Sequence, residues 1–215
     1  MRVALALVLV ACSDTPAPLP GEVSVTSDGG PLAHVTACLD SDFFGCHGST
    51  INLDVIHGGK VTALRYGAFG VGYHAADVDL GDPTLPFAIS DGTVQAEATL
   101  PPAFDLSGAP DGTLTRDGAL HLTWDGAGKP MRWDFDYECG TLAGTVDGGG
   151  ITDDGSADID LGKVGDGIAD AHVSTDTCNV LIKLSRIVRG SVDKDFHAKT
   201  ASATQVRSIS FTFER

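Results

Sequence analysis

Aromatic residues and positive charge are both scarce in this chain. Phe, Trp and Tyr make up 7% of its 215 residues, and 14 Lys and Arg stand against 29 Asp and Glu, giving a net charge of -15. A surface this acidic repels phosphate backbones and anionic headgroups, which argues against nucleic acid as a partner. No basic run offsets it. No apolar stretch reaches the roughly 20 residues that a membrane-spanning helix needs. Also missing are the G-x-S-x-G elbow, H-E-x-x-H, a phosphate-cradling P-loop and the dinucleotide fingerprint. The histidines (His34, His47, His57, His74, His121, His172, His197) form no pair at i, i+2 or i, i+4. Cys38, Cys46, His47 and His57 are close in sequence but lack the spacing of a zinc site. Glycosidase chemistry needs carboxylates in an aromatic-lined cleft, and the few aromatics here fall on strand faces that a core would claim. Together these absences point to a non-catalytic protein, with a hydrolase lacking a recognisable motif as one alternative.

What is present begins at the N-terminus. Arg2 precedes nine apolar residues, Val3 to Ala11, and then Cys12. The run has the length of a signal-peptide core, with a small residue before the expected cut. Leu9-Val10-Ala11-Cys12 resembles the lipobox of bacterial lipoproteins. The resemblance implies that residues 1–11 are removed and that Cys12 carries a diacylglycerol on sulfur and a third acyl chain on its amine. Two or more acyl chains hold a protein stably on a membrane, at about 0.8 kcal/mol per buried CH2. Ser13 follows the cysteine and Asp is at position 14, which points to the outer membrane. Residues 12–21 then form the lipidated cysteine and a tether. Three prolines in Ser13–Gly21 favour extended polyproline II, a spacer of about 25–30 Å.

The even set Cys38, Cys46, Cys139 and Cys178 suits two disulfides in an exported protein. Of the three pairings, Cys38–Cys46 and Cys139–Cys178 are preferred, because each closes a loop within its own half. Asp supplies nearly all the acid, and with 27 Gly and 10 Pro it marks many short strands joined by turns.

Period-two alternation begins at Glu22 and recurs at Ala33–Cys38, Thr50–Ile56, Lys60–Tyr66, Phe87–Ser90 and Val94–Leu100. Gly58-Gly59 reads as a tight hairpin turn. Pro101-Pro102 cannot continue a central strand and marks a boundary, giving one β unit over 22–100 and a second over 101–215. In the second, Ala119–Trp124 and Met131–Cys139 are the clearest strands. Met131, Trp133, Phe135, Tyr137 and Cys139 face inward there, while Arg132, Asp134, Asp136 and Glu138 face out. Cys178–Val188 and Val206–Phe213 follow, with a bulge expected near Ser208 because Val206 and Phe211 fall out of phase.

The entry strand after proline, Leu122-Thr123-Trp124 and the aromatic strand after it make Phe104 to Tyr137 similar to the opening of a fibronectin type III or immunoglobulin-like domain. That resemblance implies an all-β, antiparallel β-sandwich chain with two small Ig-like units in tandem. A Cys139–Cys178 bridge stapling two sheets would suit the immunoglobulin plan.

Two stretches are candidate sites. Asp147 to Asp170 has seven Asp in 24 residues among many glycines. Asp153, Asp154, Asp158 and Asp160 put hard oxygen ligands on a bendable backbone, as Ca2+ requires, although EF-hand spacing is missing. A pair of exposed acidic hairpins needs no metal and is the preferred reading of the stretch. The second candidate is the Cys38–Cys46 loop, whose Phe43 and Phe44 would form a contact patch if exposed or a core filling if buried. The expectation is a membrane-anchored envelope lipoprotein carrying a binding or structural β module. Its partners are the membrane, through the lipid, and an envelope protein or glycan. A calcium-dependent carbohydrate or protein binder using 147–170 is the other alternative.

Overall fold

Alternating apolar and polar residues dictate strands over most of the sequence, and strands are what form. The computed structural model describes residues 21–42, 45–47, 50–67, 73–110, 112–170 and 175–214. The first half holds β1 (Glu22–Ser27), β2 (Leu32–Ala37), β3 (Leu39–Asp42), β4 (Gly45–His47), β5 (Leu53–His57), β6 (Lys60–Tyr66), β7 (His74–Asp79), β8 (Phe87–Ser90) and β9 (Gln95–Ala98). The second half holds β10 (Leu106–Ser107), β11 (Thr113–Thr115), β12 (Ala119–Trp124), β13 (Met131–Cys139), β14 (Leu142–Ile151) and β15 (Ser156–Asp160). Then come α1 (Leu161–Asp170), β16 (Thr177–Arg189), β17 (Ser191–Val192) and β18 (Thr200–Glu214). The fold is all-β.

One large sheet runs β14-β13-β16-β18-β1-β2-β7-β6-β5-β8-β9-β17, with β11 also beside β18. Neighbours are antiparallel, except that β1 and β11 each lie parallel to β18. A small sheet, β10-β12-β15, and the β3–β4 hairpin complete the strands. The spine is the β16–β18 pair, in register from Thr177 opposite Glu214 to Arg189 opposite Ser202. No bulge forms near Ser208, contrary to the expectation from sequence. Val206 simply faces outward, and the inward positions between Ala203 and Ile209 are taken by Gln205 and Arg207.

That substitution of polar for apolar residues divides the interior in two. The first core gathers Val23, Val25, Val35, Leu53, Val55, Phe87 and Ile89 with Phe196, Ala198, Ala201 and Ala203 from late in the chain. Its walls curl back on themselves. β16 and β17 are one strand bent at Gly190, whose N–H donates to Ala201 O at 2.8 Å, while Ser191 pairs with Glu97 of β9. The ring of strands thus closes between β9 and β18. A Cβ at Gly190 would meet Glu97 O at 2.0 Å, so the closure requires glycine.

The second core holds Phe104, Leu122, Trp124, Trp133, Phe135, Tyr137, Ile182, Phe211 and Phe213. It lies between the inner face of β14-β13-β16-β18 and a cover made of the small sheet and α1. Leu161, Val164 and Ile168 form one buried helical stripe. Asp160 Oδ1 accepts the Gly162 N–H at 2.8 Å and caps the helix start. The stretch 147–170 read from sequence as acidic loops is therefore the end of β14, then β15, then α1.

Both disulfides form in the preferred pairing, Cys38–Cys46 and Cys139–Cys178. Glu138 opposes Asn179, so the second bridge joins neighbouring strands β13 and β16 of one sheet rather than two facing sheets.

Candidate functional site

The outer face of the second unit follows from the β13 alternation. With five apolar residues pointing inward, Arg132, Asp134, Asp136 and Glu138 point out. β14 sets Ala143 opposite Glu138, Thr145 opposite Asp136 and Asp147 opposite Asp134. β16 sets Asn179, Leu181 and Lys183 on the other side. A shallow groove of about 500 Å³ crosses this face, lined by Asp136, Glu138, Ala143, Thr145, Asn179 and Ser210 among others. Thr145 Oγ1 donates to Asp136 Oδ1 at 2.7 Å, and Lys183 forms an ion pair with the other oxygen of Asp136. Arg132 reaches Asp147 at 2.5 Å. Hydrogen bonds from Arg132 and the Gly149 N–H hold the Asp147 carboxyl below the usual carboxylate range. Asp134 differs. Burial pushes its carboxyl up, the neighbouring charges of Asp136 and Asp147 add to that, and attraction to Lys183 only partly opposes it.

β14 is the outermost strand of this sheet. Its inner face is glycine-rich because aromatic rings from β13 lean over it. A Cβ on Gly148 would meet the Trp133 ring at 2.1 Å, and one on Gly144 would meet Tyr137 Oη at 2.5 Å. Rings covering glycines on a neighbouring strand stabilise an edge that has few side chains of its own. The pairing shifts register between Trp133 and Asp134, a bulge that ends regular geometry at Gly148–Gly149.

A polar waist separates the two cores. Arg186, on β16, is fully buried and donates to Pro102 O at 2.7 Å, Asp125 O at 2.5 Å and Asp153 Oδ1 at 2.7 Å. Its guanidinium lies 4.7 Å from the centre of the Phe104 ring, and that of Arg207 lies 5.5 Å away. Trp124 Nε1 and the Lys129 N–H also donate to Asp153, at 2.9 and 3.0 Å. Burial alone would raise the Asp153 carboxyl, but the hydrogen bonds from Arg186, Lys129 and Trp124 outweigh it and hold the group low. The arrangement fastens the Pro101-Pro102 junction to β12, β16 and the chain before β15. A buried Arg–Asp pair of this kind fixes geometry more than it adds net stability.

The four calcium candidates do not converge. Asp153 is committed to Arg186, Asp154 accepts from Thr152 at 2.9 Å, Asp158 pairs with His121 at 2.8 Å, and Asp160 caps α1. Among the described residues no group of three or more His, Cys, Asp or Glu side chains is placed to hold a metal ion. Cys38 and Cys46 are bonded to each other. His57 is buried, with its two nitrogens at the carbonyls of Leu80 and Pro86 and its ring 3.8 Å from that of Phe87. Cys12, Phe43 and Phe44 lie outside the described residues.

Sequence reading missed Arg186 and Asp153 as partners, although a signal was present. Cys178, Val180, Ile182 and Leu184 set an inward phase on β16 that Arg186 continues, and a charge in that phase calls for a buried counter-charge. No protein-family model matches the chain, and no curated protein matches it.

Proposed function

We propose that this protein is a lipoprotein of the bacterial envelope, anchored through Cys12 and facing outward as a non-catalytic binding or structural module. The lipobox and the proline-rich spacer support the anchor. The observation that carries the reading is where the chain enters the fold. Gly21 O accepts from the Lys199 and Thr200 N–H groups at 2.7 and 3.2 Å, at the very start of β18. β18 then runs 15 residues away from that point, into the second core. At about 3.4 Å per residue, the strand spans about 50 Å. On this reading, a tether ending at Gly21 would attach at the end of the first core away from the second, and the second core, with its edge strand and polar groove, would be farthest from the anchoring surface. The outer membrane is the proposed site, from Ser13 after the lipidated cysteine.

The test is an intact mass on protein taken from the native envelope, together with fractionation of a Cys12→Ser variant. The reading expects a mass that begins at Cys12 with three acyl chains, and a variant released from the membrane fraction. A wild-type protein with an unmodified residue 12 would overturn the anchor.

A further inference from the structure

The second core is bounded by a strand whose outer hydrogen-bonding edge has no partner strand among the described residues, and the face beside that edge is acidic. Edge strands are usually blunted by proline, lysine or inward-pointing charge. Leu142 to Asp147 of β14 has none of these; its only charge is Asp147, and Leu142 is 44% exposed. The bulge at Gly148–Gly149 limits the usable edge to those six residues.

The face selects what can pair there. Arg132 is matched by Asp147 and Lys183 by Asp136; among the described residues Glu138 forms no ion pair, and Asp134 has only the longer-range attraction of Lys183 and Arg132. Glu138 is reached across Ala143, and Asp134 across Asp147. A strand added beside β14 would lie two strand spacings, about 10 Å, from β13. A lysine or arginine side chain can cross that distance over a small residue such as Ala143. Ala143 and Asp147 are four residues apart, so two such side chains would be spaced i, i+4 on the incoming strand. A second copy of the chain does not fit, because it would bring its own Asp147 and a net charge of -15 to an acidic face. A glycan fits poorly, because the ring among the groove's lining residues, Tyr137, is buried and offers no face to stack on.

We propose that β14 accepts an extended, basic polypeptide segment of another envelope protein as an added strand over residues 142–147, with cationic side chains four residues apart on Glu138 and on the Asp134–Asp147 pair. This rests on the binding-module reading above but does not depend on the lipid. Backbone pairing supplies affinity and the two cation sites supply selectivity, the general logic of strand addition.

The test uses the full chain in a non-ionic detergent and a capped seven-residue peptide. The peptide has lysine at its second and sixth positions and valine or threonine elsewhere. Its control carries the same charges but is N-methylated at alternate amides, so it cannot pair as a strand. Calorimetry at physiological ionic strength should give one peptide per chain. The methylated control and the Asp134→Asn/Glu138→Gln variant should each bind about tenfold or more weakly. Amide exchange should slow at residues 142–147. Equal binding of the methylated peptide would reduce the effect to charge attraction and overturn the proposal, as would no binding or protection elsewhere. The Cys12→Ser chain should bind equally, so an anchor that fails leaves this result standing.

Discussion

The two cores share two strands yet are built in opposite ways. The first is filled largely by Val, Ala, Leu and Ile, inside a sheet that closes on itself at Gly190. The second is filled by Trp124, Trp133, Phe104, Phe135, Tyr137, Phe211 and Phe213, under a helix and a small sheet. Small side chains suit a closed, curled wall whose opposite sides are near each other. An open sheet has one face to cover and a wider gap to fill, so it takes large rings. Closure also removes free edges, whereas among the described strands the open sheet keeps one in β14. On the proposal made above, the first unit is the support and the second is where another chain would be received.

The largest predicted effect tests what separates them. Asp153→Ala leaves Arg186 buried without its counter-charge and should cost about 3–5 kcal/mol in chemical denaturation. Replacing both partners with apolar residues, Asp153→Leu with Arg186→Met, should recover part of the loss by removing the unpaired charge, although Trp124 Nε1 and the Lys129 N–H still lose their acceptor. If the single and double variants are equally unstable, the waist is not an ion pair in the sense described. The same carboxylate predicts acid lability. Its folded pKa lies below the unfolded value, so the stability it contributes is present above the unfolded pKa. That stability is lost as pH falls through the folded one, below about pH 4. A melting point that does not fall below pH 4 relative to Asp153→Asn would contradict this.

A smaller, paired effect sharpens the comparison. Gly190→Ala forces a Cβ onto backbone that closes the first ring, while Gly148→Ala pushes against the Trp133 ring at the open edge. Each should cost about 1–3 kcal/mol, but Gly190→Ala should cost more, because a backbone carbonyl cannot turn aside as a side chain can. Urea midpoints in the reverse order would argue that the first sheet is not closed there.

Much of this organisation was legible in the sequence, and for identifiable reasons. β12 and β13 stand where period two predicts them, because one face is buried and the other is wet. Gly58 and Gly59 both adopt positive φ in the β5–β6 turn, as the dipeptide signalled. α1 was hidden by its three glycines, which lower helix propensity. The stripe of Leu161, Val164 and Ile168 was nonetheless at helical spacing, and packing on the sheet made it hold. The path of β18 through both cores could not be read, since its pairing with β1 joins residues 22–27 to 200–205. The Pro101-Pro102 junction does lie at the waist, through the Arg186 bond to Pro102 O. Yet Phe196, Ala198, Ala201 and Ala203 pack into the first core from beyond it. No local pattern announces that return.

The most direct measurement is residue-resolved amide hydrogen exchange on the full chain, comparing β9 and β17 with β14. Strands closed into the ring should show both β9 and β17 protected, while alternate amides over residues 142–147 exchange far faster although their neighbours on β13 stay protected. Slow exchange along all of β14 would mean that its edge is covered. Exchange in β9 and β17 as fast as in β14 would mean that the ring is open and that the contrast between the two units fails.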